Sequence, residues 1–163
     1  MSAAHKIFVG HIYDESQMLA LGFALAKILT AGDLLVLTGA LGAGKTTLTR
    51  GLGNALGLQS RVSSPTFVIA RTHKRTNELL PPLVHVDAYR LGSAAELDDL
   101  DIDFENCITV VEWGKGFTEG ISESWLSVQI ERDHSGESEI RGVLIEGFGE
   151  RWQNQAEITL GGS

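Results

Sequence analysis

The segment Gly39-Ala-Leu-Gly-Ala-Gly44-Lys45-Thr46 limits what this chain can fold into more than any other feature, because it completes the G-x-x-x-x-G-K-[ST] pattern. Such a segment needs a buried strand running in and a helix running out, since it wraps main-chain amides round an anion at a helix N-terminus. Both flanks fit. Leu34–Thr38 is a short apolar run of the kind buried on both sheet faces, and the spacing predicts a helix from about Lys45 to Leu56, closed by Gly57. Gly39, Gly42 and Gly44 leave room for the backbone to close round phosphate, with the amides of Leu41, Ala43, Gly44 and Thr47 in the same nest. Lys45 is placed to reach the β- and γ-phosphates, and the Thr46 hydroxyl to face Mg²⁺. The expected ligands are ATP, its product ADP, and Mg²⁺.

The rest of the pattern predicts an α/β protein. Ile7–Ile12 alternates as a half-buried strand, and Asp14 offers a helix cap with Gln17 completing a capping box. Apolar positions at Leu21, Leu25, Ile28 and Leu29 carry that helix to a stop at Gly32-Asp33. Phe67–Thr72 and Leu83–Val86 read as a long hairpin, Ser93 to about Leu100 as a short helix, and Cys107–Glu112 as another buried strand. Trp125–Ile130 and Val143–Ile145 flank a polar turn at Ser135-Gly136. The expected architecture is a three-layer, P-loop NTPase-like fold. Its central mixed sheet has parallel strands near the loop and antiparallel strands and hairpins at the edges. Residues 1–152 form the single ATPase domain in this reading, and 153–163 a flexible tail.

A phosphate loop needs a carboxylate at a neighbouring strand end, to hold the metal or orient the attacking water. Leu83-Val-His-Val-Asp87 and Ile108-Thr-Val-Val-Glu112 are both apolar runs ending in an acid, and spacing alone does not divide the two roles. His85 lies within a strand and reads as structural. Trp113 is either a core-edge residue or part of the nucleotide site. Asp99-x-Asp101-x-Asp103 opens like a calcium loop, but Phe104 stands where glycine is needed and Val110 where the bidentate glutamate belongs, so calcium is rejected.

Composition excludes several classes. Thirteen basic against 21 acidic residues give a net charge of −8, which ill suits a protein that grips DNA or bare RNA. The one basic cluster, His73-Lys74-Arg75, reads as a solvated loop tip. A single cysteine, Cys107, rules out an internal disulfide, and no apolar run is long enough for a membrane span. With no export signal in view, the expected compartment is the cytoplasm.

Several separated motifs, in order, resemble the bacterial TsaE family (also called YjeE), the ATPase of tRNA threonylcarbamoyladenosine synthesis. They are Leu21-Gly22, Leu41-Gly-Ala-Gly-Lys-Thr-Thr47 with Arg50-Gly51, Ser63-Ser-Pro-Thr-Phe67, His85-Val-Asp-Ala-Tyr-Arg-Leu91, Glu96-Leu97 and Val111-Glu-Trp113. The resemblance spans about Asp14 to Trp152. It implies that Glu112 is the second magnesium ligand and that Asp87 is the acid needed for hydrolysis. Ser64, Pro65 and Thr66 would form a switch-like loop whose threonine senses the γ-phosphate. It also implies action with the TsaD and TsaB proteins, which carry out the transfer to tRNA, so that tRNA is met only through the complex. Ala40, Met18 and Gly114 depart from the family's usual Asp, Thr and Pro. Two rival readings are a small-molecule kinase and a non-hydrolytic nucleotide switch. Against the first, Arg61, Arg71, Arg75 and Arg90 are scattered rather than gathered in a lid.

Overall fold

In chain order, β1 (His5–Ile12), β2 (Leu34–Thr38), β3 (Ala70–His73), β4 (Leu83–Asp87), β5 (Ile108–Glu112), β6 (Trp125–Arg132) and β7 (Arg141–Phe148) form one sheet. Helices α1 (Glu15–Ala26) and α2 (Lys45–Leu56) accompany it. These are drawn from a computed structural model that describes residues 4–40, 42–62, 70–88, 96–97, 99–112, 122–132 and 138–160. The strand order is β1-β7-β6-β2-β5-β4-β3. The central four strands, β6, β2, β5 and β4, are parallel, while β1, β7 and β3 join antiparallel at the edges. This is the mixed sheet expected from the sequence. The apolar runs of β2 and β5 lie inside it because parallel strands are covered on both faces.

Alternation along the strands sorts the core into two layers. Leu35, Leu37, Leu83, Val110 and Val128 pack on one face with Leu21, Leu25, Leu48 and Leu52 of the helices. Leu34, Val36, Val84, Val86 and Val111 pack on the other, with Leu97, Leu100, Ile102 and Phe104. Cys107 sits in that second layer. Burial first, and then the nearby Asp103 charge, push its thiol pKa up, so it behaves as a small buried hydrophobe.

The two helices cross closely. A Cβ on Gly22 would lie 2.2 Å from the Leu48 carbonyl oxygen, and one on Gly51 2.3 Å from that of Leu19. Glycine at these two places lets the backbones touch, which explains the Leu-Gly and Arg-Gly pairs seen in the sequence. Arg50 adds an ion pair to Glu15 at 3.8 Å across the same crossing.

Several local expectations shift. At the start of α1, Asp14 Oδ1 accepts from Gln17 N at 2.8 Å as expected, but Gln17 Oε1 takes the Tyr13 amide rather than that of Asp14. The helix stops at Ala26, short of Leu29. Lys27 and Ile28 donate to Ala24 and Leu25, and the Asp33 carboxylate captures the Thr30 amide at 2.8 Å. Arg151 locks that turn from far along the chain, with Nε 3.1 Å from Asp33 Oδ1 and Nη2 2.7 Å from the Ile28 carbonyl. His73 belongs to no loop tip. It is fully buried in β3, its Nδ1 2.9 Å from Ser60 Oγ, while Arg75 donates to the Leu56 carbonyl. After Trp152 the segment expected to fray runs back beside β1, where Ile158 N donates to Ile7 O at 2.8 Å and Ile158 and Leu160 pack on the core. Residues Phe67–Ile69, the start of the Ser93 helix and the Ser135-Gly136 turn lie outside the described residues; Glu96 and Leu97 are helical.

Two stability measurements follow from this packing. Gly51→Ala puts a methyl against backbone that cannot move aside, so it costs about 3 kcal/mol or more despite alanine's better helix propensity. Calorimetry is expected to show a melting temperature roughly 6–12 °C lower. The second concerns His73, whose pKa lies below its ordinary 6.5, chiefly through burial and then through repulsion by His85 and Arg71. The unfolded chain therefore takes up this proton first, so the contribution is intact above about pH 6.5 and is lost as the pH falls below it. The fall in melting temperature between about pH 7 and 5 should be shallower in His73→Asn than in the parent.

Candidate functional site

The loop at 39–46 leaves the carboxyl end of β2 and enters α2, with β2 held between β5 and β6. Gly44 caps α2 with φ 115°, a left-handed conformation that side-chain-bearing residues rarely adopt, and the Gly42 φ is also positive at 78°. Ala43 N closes a turn onto Ala40 O at 3.0 Å. The first amides of α2 have no earlier carbonyl to bond within the helix, so the helix presents a positive pole to the loop. Lys45 is buried, and its Nζ donates to the Gly39 carbonyl at 2.6 Å, holding the ammonium across the mouth of the loop. Thr46 and Thr47 are half-buried in the first turn, and Thr49 Oγ1 bonds back to Lys45 O at 2.8 Å.

The two acids found by pattern meet at the ends of adjacent strands. Asp87 and Glu112 are register partners in the parallel β4–β5 pair, and Glu112 is also the partner of Leu37 in β2. Because Leu83, Val110 and Leu37 face the helices, residues two or four positions further on share that face. Both carboxylates therefore project from strand carboxyl ends on the side from which α2 begins. Glu112 is only 6% exposed, and its Oε1 lies 3.1 Å from Nε2 of the fully buried His85.

Among the described residues no three His, Cys, Asp or Glu side chains converge as a self-sufficient metal cage. The donors on this face are a hydroxyl, Thr46, and carboxylates, Glu112 and Asp87. That set suits Mg²⁺, which takes hard oxygen ligands, keeps several waters and completes its shell from phosphate.

Beside the loop lies a cleft of about 280 Å³. Its apolar wall is Ile12 and Met18, its floor Gly42–Gly44 and Thr47, and its rim Asp14, Glu15, Glu139 and Arg141. Met18 fills the place left free by Gly44, its Cε 3.0 Å from where a Cβ would stand. Arg141 was not found from the sequence. It comes from β7, almost a hundred residues on, and its Nε donates to the Ala43 carbonyl at 3.1 Å. It thereby orients the Ala43–Gly44 peptide of the loop. No local pattern marks it, because the contact exists only once the sheet has formed. Leu41, Ser64, Pro65, Thr66 and Trp113 lie outside the described residues.

A strand–loop–helix of this kind, with acids at the neighbouring strand ends, defines a P-loop NTPase-like protein. Comparison with known proteins narrows the class. The family model for threonylcarbamoyl adenosine biosynthesis protein TsaE matches residues 12–140. The TsaE of Streptomyces coelicolor is 51% identical over 149 residues, covering 89% of this chain and all of that protein. The TsaE of Bacillus subtilis is 38% identical, covering 75% of this chain and 78% of that one. A crystal structure of Bacillus subtilis YdiB superposes with a TM-score of 0.69 at 27% identity, covering 93% of this chain and 90% of that one. The chain belongs to the TsaE family, and so to tRNA threonylcarbamoyladenosine biosynthesis.

The tether from Arg141 can be tested by titration calorimetry. Arg141→Met is expected to weaken ADP binding about tenfold, the worth of one charge-assisted hydrogen bond, with little change in melting temperature.

Proposed function

We propose that this protein is a Mg²⁺-dependent ATPase that serves tRNA threonylcarbamoyladenosine synthesis by acting with TsaD and TsaB, not by carrying out the transfer itself. The observation that carries this reading is the pairing of Asp87 with Glu112 at the strand ends beside the loop. A binding module needs only the loop. A hydrolase also needs one group to help hold the metal and another to orient the water, and this face offers two carboxylates for those tasks.

In this reading the amides between residues 42 and 47 and the Lys45 ammonium hold the β- and γ-phosphates. Lys45 exchanges its bond to Gly39 O for phosphate oxygens. Thr46 and Glu112 would hold Mg²⁺, which when bound would draw charge from the phosphate oxygens. Asp87 orients the water in line with the γ-phosphorus and accepts its proton as the new P–O bond forms. The bond to the β-phosphate oxygen breaks, and ADP and inorganic phosphate leave. The neighbouring cleft takes the nucleoside. Ile12 and Met18 would pack on the base, and the acidic rim of Asp14, Glu15 and Glu139 would accept bonds from ribose or base donors. Met18 contributes packing only, where a threonine would add a hydroxyl. Among the described residues no helix is long and apolar enough to cross a membrane. We place the protein in the cytoplasm, where it meets tRNA through its partners.

Two variants separate binding from turnover. Lys45→Ala should lose at least about 30-fold in affinity for ADP and ATP, since it removes charge-assisted bonds worth about 2 kcal/mol. Asp87→Ala should bind ATP within about threefold of the parent yet hydrolyse it about 10²–10⁴ times more slowly, and fail to support the tRNA modification. Hydrolysis by the parent should be slow alone and rise when TsaB and TsaD are added. Fast hydrolysis indifferent to those proteins, or an Asp87→Ala variant that still supports modification, would contradict the proposal.

A further inference from the structure

We infer that His85 is a positioning residue for the metal-binding carboxylate, holding Glu112 by one oxygen so that the other is presented to the cation. The inference rests on the proposed role of Glu112. His85 sits in the middle of β4 with 0% exposure, and its Nε2 reaches diagonally across to Glu112 Oε1 on β5 at 3.1 Å. The strand register makes this contact possible: His85 pairs with Val110, and Asp87 with Glu112, so His85 stands one step behind the acid pair on the same face. The His-x-Asp spacing of the sequence is thus a two-residue alternation that points both side chains the same way.

A merely packed histidine is the plainer reading, and the hydrogen bonding argues against it. His85 Nδ1 is buried with no hydrogen-bond partner. Burying an unsatisfied imidazole nitrogen is destabilising, a cost that a leucine or valine here would avoid, as Leu83, Val84 and Val86 do on the same strand. What the imidazole gains in exchange is its bond to Glu112. An ionised carboxylate has only acceptors, so the shared proton sits on Nε2 and Nδ1 is left bare. Carboxylates that bind metals are commonly fixed by such an outer partner, whose loss typically costs about 10–100-fold in metal affinity.

Two measurements on the ADP complex test this. In the unmodified protein, ¹⁵N NMR of the histidine rings should show His85 as the Nε2–H tautomer, shifting when Mg²⁺ is added. In the second, Mn²⁺ is titrated by electron paramagnetic resonance. His85→Leu should bind metal-free ADP within about twofold of the parent, yet hold Mn²⁺ about 10–100-fold more weakly. His85→Gln, whose amide nitrogen can stand where Nε2 stood, should recover most of that loss. In a Glu112→Gln background, His85→Leu should add little. An Nδ1–H tautomer in the parent overturns the inference, whether or not the leucine variant folds. So does a leucine variant that binds Mn²⁺ like the parent, or a glutamine variant no better than leucine. If Glu112→Gln alone leaves Mn²⁺ affinity unchanged, the metal role of Glu112 falls and the inference with it. If Glu112→Gln weakens binding and His85→Leu does not, only the role of His85 falls.

Discussion

The burial of β2 between two parallel neighbours is the constraint on which the rest of this structure depends. β5 and β6 hydrogen-bond to its two edges, and apolar layers cover its two faces. Its carboxyl end therefore has one position, and the loop that leaves it must turn back at once into α2 to cover the sheet. The helix N-terminus is aimed at the strand ends for that reason. The same parallel arrangement brings the ends of β4 and β5 alongside, so that a positive pole and two carboxylates come from one sheet edge.

Charged groups at this edge are held in place by short contacts within the protein. Lys45 Nζ rests on a loop carbonyl, Arg141 on another, and Glu112 on a buried imidazole. In the proposed reaction each contact would orient a group that a phosphate or a cation must otherwise order on arrival, lowering the entropy cost of binding. The close crossing at Gly22 and Gly51 extends the same economy to the cleft. With α1 drawn onto α2, Asp14, Glu15 and Met18 are fixed beside the loop.

What could be read from the sequence was what is local. β2, the loop and α2 appear at the bounds expected, because one apolar run, one glycine pattern and one helical period encode them within 23 residues, from Leu34 to Leu56. Asp87 and Glu112 were found as acids ending apolar runs, but their pairing was not, since register belongs to the folded sheet. His85 read as structural for the same reason. Its partner is 27 residues away, and no periodicity reports a diagonal contact between strands. The helix α1 ends early because Asp33 and the distant Arg151 compete for its last turn, a tertiary override of a good apolar pattern. Ile158 and Leu160 looked like a tail because two apolar residues make no pattern, yet β1 offers them a carbonyl and a groove.

The central claim is that one sheet edge holds the triphosphate by main-chain amides and divides metal and water between two neighbouring acids. The most direct measurement is a crystal structure of the protein with Mg²⁺ and a non-hydrolysable ATP analogue. The account predicts phosphate oxygens bonded to the amides of residues 42–47, the cation on Thr46 with Glu112 at about 2.1 Å or through one water, and Asp87 facing the γ-phosphate without touching the metal. A cation on Asp87 alone, with neither Glu112 oxygen near it or its waters, would contradict the division of roles. Triphosphate bound away from the loop would contradict the account as a whole.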